Sequence, residues 1–290
     1  MQNTQEEEWE DLEEEELTPE QHRRIVRQGA RLAVGSVIFV ALCTVYMFRD
    51  QLLIVCCEHG HTNLARVLIA CGANVRTCTN EGDTALHQAA MHNHSDTARM
   101  LIESGADINA KNADGSTPLH WAAFDNHGQV ADMLIKHHAD VNARDEQNRT
   151  PLVEAVEHDN PDVARILIEN KADINVTTQD GKMPIDWAVE NGHDKTAELL
   201  IRYGATIDRR GKYGWTPLHL TAWNGHLELT RILIRNKAEI NALDEFGNTP
   251  LDKAATSEIK KLLIEAGGLT GREILAARKK SHQKKAESGK

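Results

Sequence analysis

The chain has 290 residues, 40% apolar and 27% charged, with 44 Asp and Glu against 33 Lys and Arg. An apolar share of that size supports a core and, beside an ordinary charged share, excludes both wholesale disorder and a chain of many membrane spans. The formal charge of −11 excludes a general nucleic-acid binder, which needs a basic face.

Residues 1–20 hold ten acidic residues and no Lys or Arg, a self-repelling run that reads as an acidic disordered tail. Residues 21–48 begin with Arg23, Arg24, Arg27 and Arg31 and continue into an uncharged apolar stretch over 32–48. That stretch is at the short edge of a membrane-crossing helix, for which about 17–25 residues serve. Two readings stand: a helix packed against the first structural unit that follows, or a single membrane anchor. For an anchor, the positive-inside rule puts the N-terminus in the cytosol and the rest in a lumen. The glycosylation sequons at Asn93, Asn148 and Asn175 do not decide this, since chance supplies about as many. The five cysteines, Cys43, Cys56, Cys57, Cys71 and Cys78, lack the density of a disulfide scaffold and the paired spacing of a zinc site. They read as reduced thiols, buried as small hydrophobes.

From residue 49 the chain repeats. T-A-L-H-Q-A-A starts at Thr84, T-P-L-H-W-A-A at Thr117, T-P-L-V-E-A-V at Thr150, M-P-I-D-W-A-V at Met183, T-P-L-H-L-T-A at Thr216 and T-P-L-D-K-A-A at Thr249, each step being 33 residues. A second phrase keeps the same period: S-G-A-D-I-N-A from Ser104, H-H-A-D-V-N-A from His137, N-K-A-D-I-N-V from Asn170 and N-K-A-E-I-N-A from Asn236. Thr-Pro suits a helix start, with Thr as N-cap and Pro in the first turn, and the paired alanines let neighbouring helices approach closely. The third unit shows the layout: a short helix with Leu119, Trp121, Ala122 and Ala123, a break at Asn126 to Gly128, then a second helix carrying Val130, Met133, Leu134 and Ile135. One such pair cannot bury its apolar stripe alone, so neighbours must stack.

These residues resemble the ankyrin-repeat family, whose period and T-P-L-H-x-A box they match. The resemblance implies an all-α solenoid of stacked helix-turn-helix units with β-hairpin fingers. Seven repeats fit residues 49–268, the first degenerate around Cys56-Cys57-Glu58-His59-Gly60-His61 and the last about three residues short. It also implies hydrogen-bonding roles for the box histidines His87, His120 and His219, and for His61, His193 and His226 after the inter-helix Gly. Repeats with this pattern are substrates of an asparaginyl hydroxylase, which makes Asn109, Asn142, Asn175 and Asn241 its expected acceptors. Ankyrin-like arrays are mostly intracellular. Residues 269–290, with seven basic residues against Glu273 and Glu287, read as a basic C-terminal tail: solvated, a nuclear-import signal or a contact for anionic lipid.

No phosphate-binding glycine loop follows a strand-like run, and no nucleophile, base and orienting group assemble from the pattern. The expectation is therefore no enzyme, no cofactor and no metal. His59-x-His61, His92-x-His94 and His137-His138 lack a Cys or acidic partner at ligand spacing. Function then lies in the concave face formed by finger tips and first helices. The register places Met91, Phe124, Arg149, Lys182, Lys212, Tyr213, Trp215, Trp223, Asn224 and Phe246 there. The chain has only 5 Trp, 3 Tyr and 4 Phe, yet Tyr213, Trp215, Trp223 and Phe246 fall together near Arg209, Arg210 and Lys212. Such a mixture suits a binding hot spot for a protein or an extended peptide, an acidic one included. The competing reading folds the indoles back onto neighbouring repeats; Trp121 and Trp187, inside the box, are expected as partly buried packing residues. The expected protein is a monomeric scaffold or adaptor of the cytoplasm or nucleus, the alternative an adaptor tethered to a membrane by residues 32–48.

Overall fold

The computed structural model describes residues 47–288, with side chains through 282. The chain divides into two compact units, residues 1–49 and 50–290. In the first unit only 47–49 are described; they are helical, and Met47 and Phe48 are exposed. The acidic run 1–20, most of the apolar run 32–48 and Cys43 lie outside the described residues. Among the described residues no helix is long and apolar enough to cross a membrane.

The second unit is built of helix pairs. They are α1 (50–58) with α2 (Thr62–Ala70), α3 (Ala85–Met91) with α4 (Ser95–Glu103), α5 (Pro118–Phe124) with α6 (Gly128–Lys136), and α7 (Pro151–Glu157) with α8 (Pro161–Glu169). Then come α9 (Pro184–Asn191) with α10 (Asp194–Arg202), α11 (Pro217–Asn224) with α12 (Leu227–Arg235), and α13 (Pro250–Lys253) with α14 (Ser257–Glu265), before a last helix, α15 (Gly271–Ser288). First helices pack on first helices, α3 on α5, α5 on α7 and α7 on α9, while second helices form a parallel outer row. Leu86, Leu119, Leu152, Ile185 and Leu218, one per repeat, are buried in the inner row, and Leu101, Leu134, Leu167, Leu200 and Leu233 in the outer. Each contributes about 1.5–3 kcal/mol by leaving water. Ala89, Ala90, Ala122, Ala123, Ala155 and Ala188 are fully buried where the first helices meet.

Three kinds of polar tie join one repeat to the next. The box histidine accepts the N-cap N–H at Nδ1, 3.1 Å from Thr84 N to His87 and from Thr117 N to His120. Its opposite nitrogen donates to a carbonyl 29 residues on, His87 to Ser116 O at 3.0 Å, His120 to Arg149 O at 3.2 Å and His219 to Asn248 O at 3.3 Å. Burial pushes His120 down to about 4 and lowers His87 and His219, so all three are neutral at pH 7, as one accepting and one donating nitrogen require. The second tie reaches back: His94 donates to Glu58 O at 3.0 Å, His127 to Met91 O at 2.8 Å and His193 to Val156 O at 3.0 Å. The third uses the loop asparagines, Asn109, Asn142, Asn175 and Asn241, whose Oδ1 atoms accept from Asp140, Asp173, Thr206 and Leu269 N–H at 2.8–2.9 Å.

Among the described residues no strand forms and the only extended pairing is the isolated antiparallel bridge between Cys78 and Thr84; the fingers are hydrogen-bonded turns. Each is closed by one bond across four residues and one across three, such as Asn112 N–H to Ser116 O and Gly115 N–H to Asn112 O, both 3.0 Å. A side-chain oxygen staples the turn: Asp145 Oδ1 accepts from Gln147 and Arg149 N–H at 2.9 and 2.7 Å, and Asp244 Oδ1 from Phe246 and Asn248 at 2.9 and 2.8 Å. Gly115, at φ 77°, allows neighbouring fingers to touch, since a Cβ there would lie 3.0 Å from Glu146 N.

Residues expected as a C-terminal tail form α15 instead. Thr270 and Glu273 make a reciprocal cap, Thr270 N–H to Glu273 Oε2 at 2.8 Å and Glu273 N–H to Thr270 Oγ1 at 3.3 Å. The helix start is fastened to α13 and its N-cap by Gly271 N–H to Asp252 Oδ2 and Thr249 Oγ1 to Leu269 O, both 2.7 Å. The thiols split: Cys56 and Cys57 are buried, and burial pushes Cys57 up to about 12, whereas Cys71 and Cys78 are exposed because they sit at a helix end and in a finger.

Candidate partner-binding surface

The first helices and fingers present the variable positions, and their chemistry changes along the stack. In repeats three and four, Phe124 is 39% exposed, its ring 4.0 Å from that of His158 and edge-on to Trp121 at 5.8 Å. Met91, one repeat earlier, is half-buried. Arg149, expected as a contact cation, lies inside a carboxylate cluster: its Nε is 2.9 Å from Asp145, and Nη1 is 3.0 Å from Glu154 and 3.6 Å from Glu157. Burial and the Glu157 carboxylate push Glu154 up to about 7 against the pull of Arg149. Glu154, Glu157 and His158 are the one group among the described residues with ligand atoms close enough for a metal, but Arg149 already supplies the positive charge there.

Lys182 is likewise engaged. Its Nζ is 2.6 Å from Glu190 and 4.1 Å above the Trp187 ring. Gln147, Arg149, Thr178, Gln179, Asp180 and Trp187 line an open cavity of about 560 Å³. Trp121 and Trp187 are partly buried, as expected for packing residues, and their indole N–H groups have no hydrogen-bond partner.

Repeats six and seven differ. Tyr213, Trp223 and Phe246 are 47%, 57% and 70% exposed, and the Tyr213 and Phe246 rings lie 6.2 Å apart. Trp215 is half-buried: its indole N–H donates to Asp244 Oδ2 at 3.2 Å, and its ring sits 5.8 Å from Trp223. The fold-back reading thus describes Trp215, whereas Trp223 stands out in solvent. Lys212 Nζ lies 5.0 Å from the Tyr213 ring, and Asn224 Nδ2 donates to Glu190 O at 3.3 Å. Arg209 and Arg210 are spent on the neighbours, donating to Gly181 O and Leu243 O.

The finger bearing Tyr213 is the exception among the fingers. Gly211 occupies the position of Asn112, Asp145 and Asp244, so the turn has no side-chain staple; it winds into a single 3₁₀ turn over Lys212–Gly214 with Tyr213 at φ 62°. Sequence reasoning missed Lys253, whose Nζ lies 5.3 Å from the Trp215 ring and 3.3 Å from Asp244. Its register was legible, because Lys253 holds the box position of Trp121, Glu154 and Trp187.

A family model described as three copies of the ankyrin repeat matches four overlapping windows, residues 40–112, 108–178, 144–211 and 185–272. Comparison with curated proteins returns no match. With the matched windows running through most of the chain and the helix pairs following the same period, the chain belongs to the ankyrin-repeat family, a protein–protein interaction module.

Proposed function

We propose that the chain is a non-enzymatic scaffold that binds an extended segment of a partner protein along its fingers and first helices, anchored on Tyr213, Trp215, Trp223 and Phe246. The observation that carries this reading is the solvent exposure of Tyr213 and Phe246 on neighbouring fingers and of Trp223 on α11, in a chain with few aromatic residues. Exposed aromatic rings on a rigid support are what binding hot spots consist of, because they bury large area with little entropy loss. Phe124, Met91 and Asn224 extend the surface, and Arg149 and Lys182 act from within their ion pairs. As a monomer with free thiols, the scaffold suits the cytoplasm or nucleus.

The test compares proteins captured in cells by the tagged full chain, by Trp223→Ala with Phe246→Ala, and by a control, Lys136→Ala with Arg231→Ala, on the outer helices. A defined set of proteins should be lost from the aromatic variant and kept by the control, at equal thermal stability. If the aromatic variant retains the same set, the partner surface lies elsewhere.

A further inference from the structure

Resting on that reading, we propose that the partner segment is acidic where it crosses the last two fingers: its apolar side chains lie on Tyr213 and Phe246, and its carboxylates face Lys212 and the cations of α15. The cations here are unspent. Lys212, Arg272, Arg278, Lys279 and Lys280 are exposed and, among the described residues, have no carboxylate within ion-pair distance. Of the acids around them, Asp208, Asp252 and Glu273 accept backbone N–H groups of Glu239, Gly271 and Thr270 at 2.7–2.8 Å; Glu245 is the remaining exposed one.

The placement of α15 joins these charges to the aromatic rings. Its start is bonded to Asp252, and Leu275 Cδ1 would lie 3.6 Å from a Cβ at Gly247, the residue after Phe246. Leu275 and Phe246, 44% and 70% exposed, therefore meet at one finger; Lys212 adjoins the Tyr213 ring, and Arg272, Arg278 and Lys279 stand one turn from Leu275 along α15. The ring faces do not invite a further cation, because Lys212 and Lys253 already sit 5.0 and 5.3 Å from Tyr213 and Trp215. The Trp215 N–H is held by Asp244, whereas the exposed Tyr213 hydroxyl and Trp223 N–H are donors from which a carboxylate can accept. The surface thus offers apolar contact and donors beside unpaired positive charge.

The other half of the surface fixes where the acid falls. Asp145, Glu154, Glu157, Asp180 and Glu190 outnumber Arg149 and Lys182 around the cavity of repeats four and five. Carboxylates of the partner are repelled there and drawn to the last two fingers. The same excess acts against a nucleic-acid strand, which would carry phosphates along its whole length.

Fluorescent peptides of repeated Pro-Glu-Leu and Pro-Lys-Leu units, and a short oligo-dT, are titrated against the full chain. The Glu peptide should bind at least about tenfold more tightly than the Lys peptide, with rising salt erasing the gap. Lys212→Glu with Lys279→Glu should reverse the order, Lys279→Gln should narrow it, and Tyr213→Ala with Phe246→Ala should weaken both peptides; these side chains are exposed, and thermal melts confirm folding. No preference for Glu, a preference that survives charge reversal, tighter binding of oligo-dT, or no peptide binding overturns the proposal. The scaffold reading has its own arm, capture by the Trp223→Ala with Phe246→Ala protein, and stands or falls there.

Discussion

Repeats four and six start from the same box and spend it differently. Repeat four gives up the histidine: Val153 stands in its place, which leaves the buried Thr150 hydroxyl without a partner, and Glu154 turns the next position into a buried ion cluster. Repeat six keeps the histidine and gives up the finger staple, with Gly211 where Asp145 stands in repeat four. Four carries its irregularity inside, where charges are consumed; six carries it outside, where rings and an ammonium stay available. A stacked array tolerates both because each repeat is held by its two neighbours.

The strongest way to break this contrast is to remove core from repeat four and surface from repeat six. Leu152→Ala, at a fully buried site, should cost about 2–5 kcal/mol in urea unfolding. Trp223→Ala should cost less than about 1 kcal/mol, since that ring is mostly in solvent. Equal losses would mean that the indole is packing. Next comes the box: His120→Ala strands the Thr117 N–H and the Arg149 carbonyl and should cost about 1–3 kcal/mol. The mirror change, Val153→His, should regain up to about 1 kcal/mol by giving the Thr150 hydroxyl a partner.

The pH dependence of stability separates the two kinds of buried group. Glu154 is raised above the unfolded value, so the folded state holds the extra proton, and its contribution is present at low pH and lost as pH rises toward about 7. The box histidines are lowered, so their contribution is present above the unfolded value near 6.5 and lost as pH falls toward about 4 for His120. Glu154→Gln should therefore flatten the fall in melting temperature between pH 5 and 8 without changing the acid limb; an unchanged slope would show that Arg149 keeps Glu154 ionised throughout. The smallest expected effect is at the finger: Gly211→Asn, at φ −88° with only Trp215 O within 4 Å of its Cβ, should restore the staple. A gain of about 0.4–1 kcal/mol and slower hydrogen exchange at Tyr213 would follow.

Much of the fold was legible because it is periodic. The box residues Thr117, Pro118, Leu119 and His120 predict an N-cap, a first turn, a core contact and a tie, and the structure places each in that role. The shortened last repeat appears as the four-residue α13. The site was legible by position but not by state. Register put Arg149 and Lys182 on the binding face, yet their ion pairs with Glu154 and Glu190 depend on neighbours a turn or two away.

The sequence by itself determined the repeat, its period, the helix starts and the face on which variable residues gather, since these follow from local propensity and from the need of each apolar stripe to be covered. Tertiary structure alone decided which charges are spent and which remain: Lys253 against Trp215 and Asp244, Trp215 turned inward beside an outward Trp223, and α15 fastened to α13. Those outcomes rest on distances between side chains of different repeats, which a one-dimensional pattern sets only through the packing it produces.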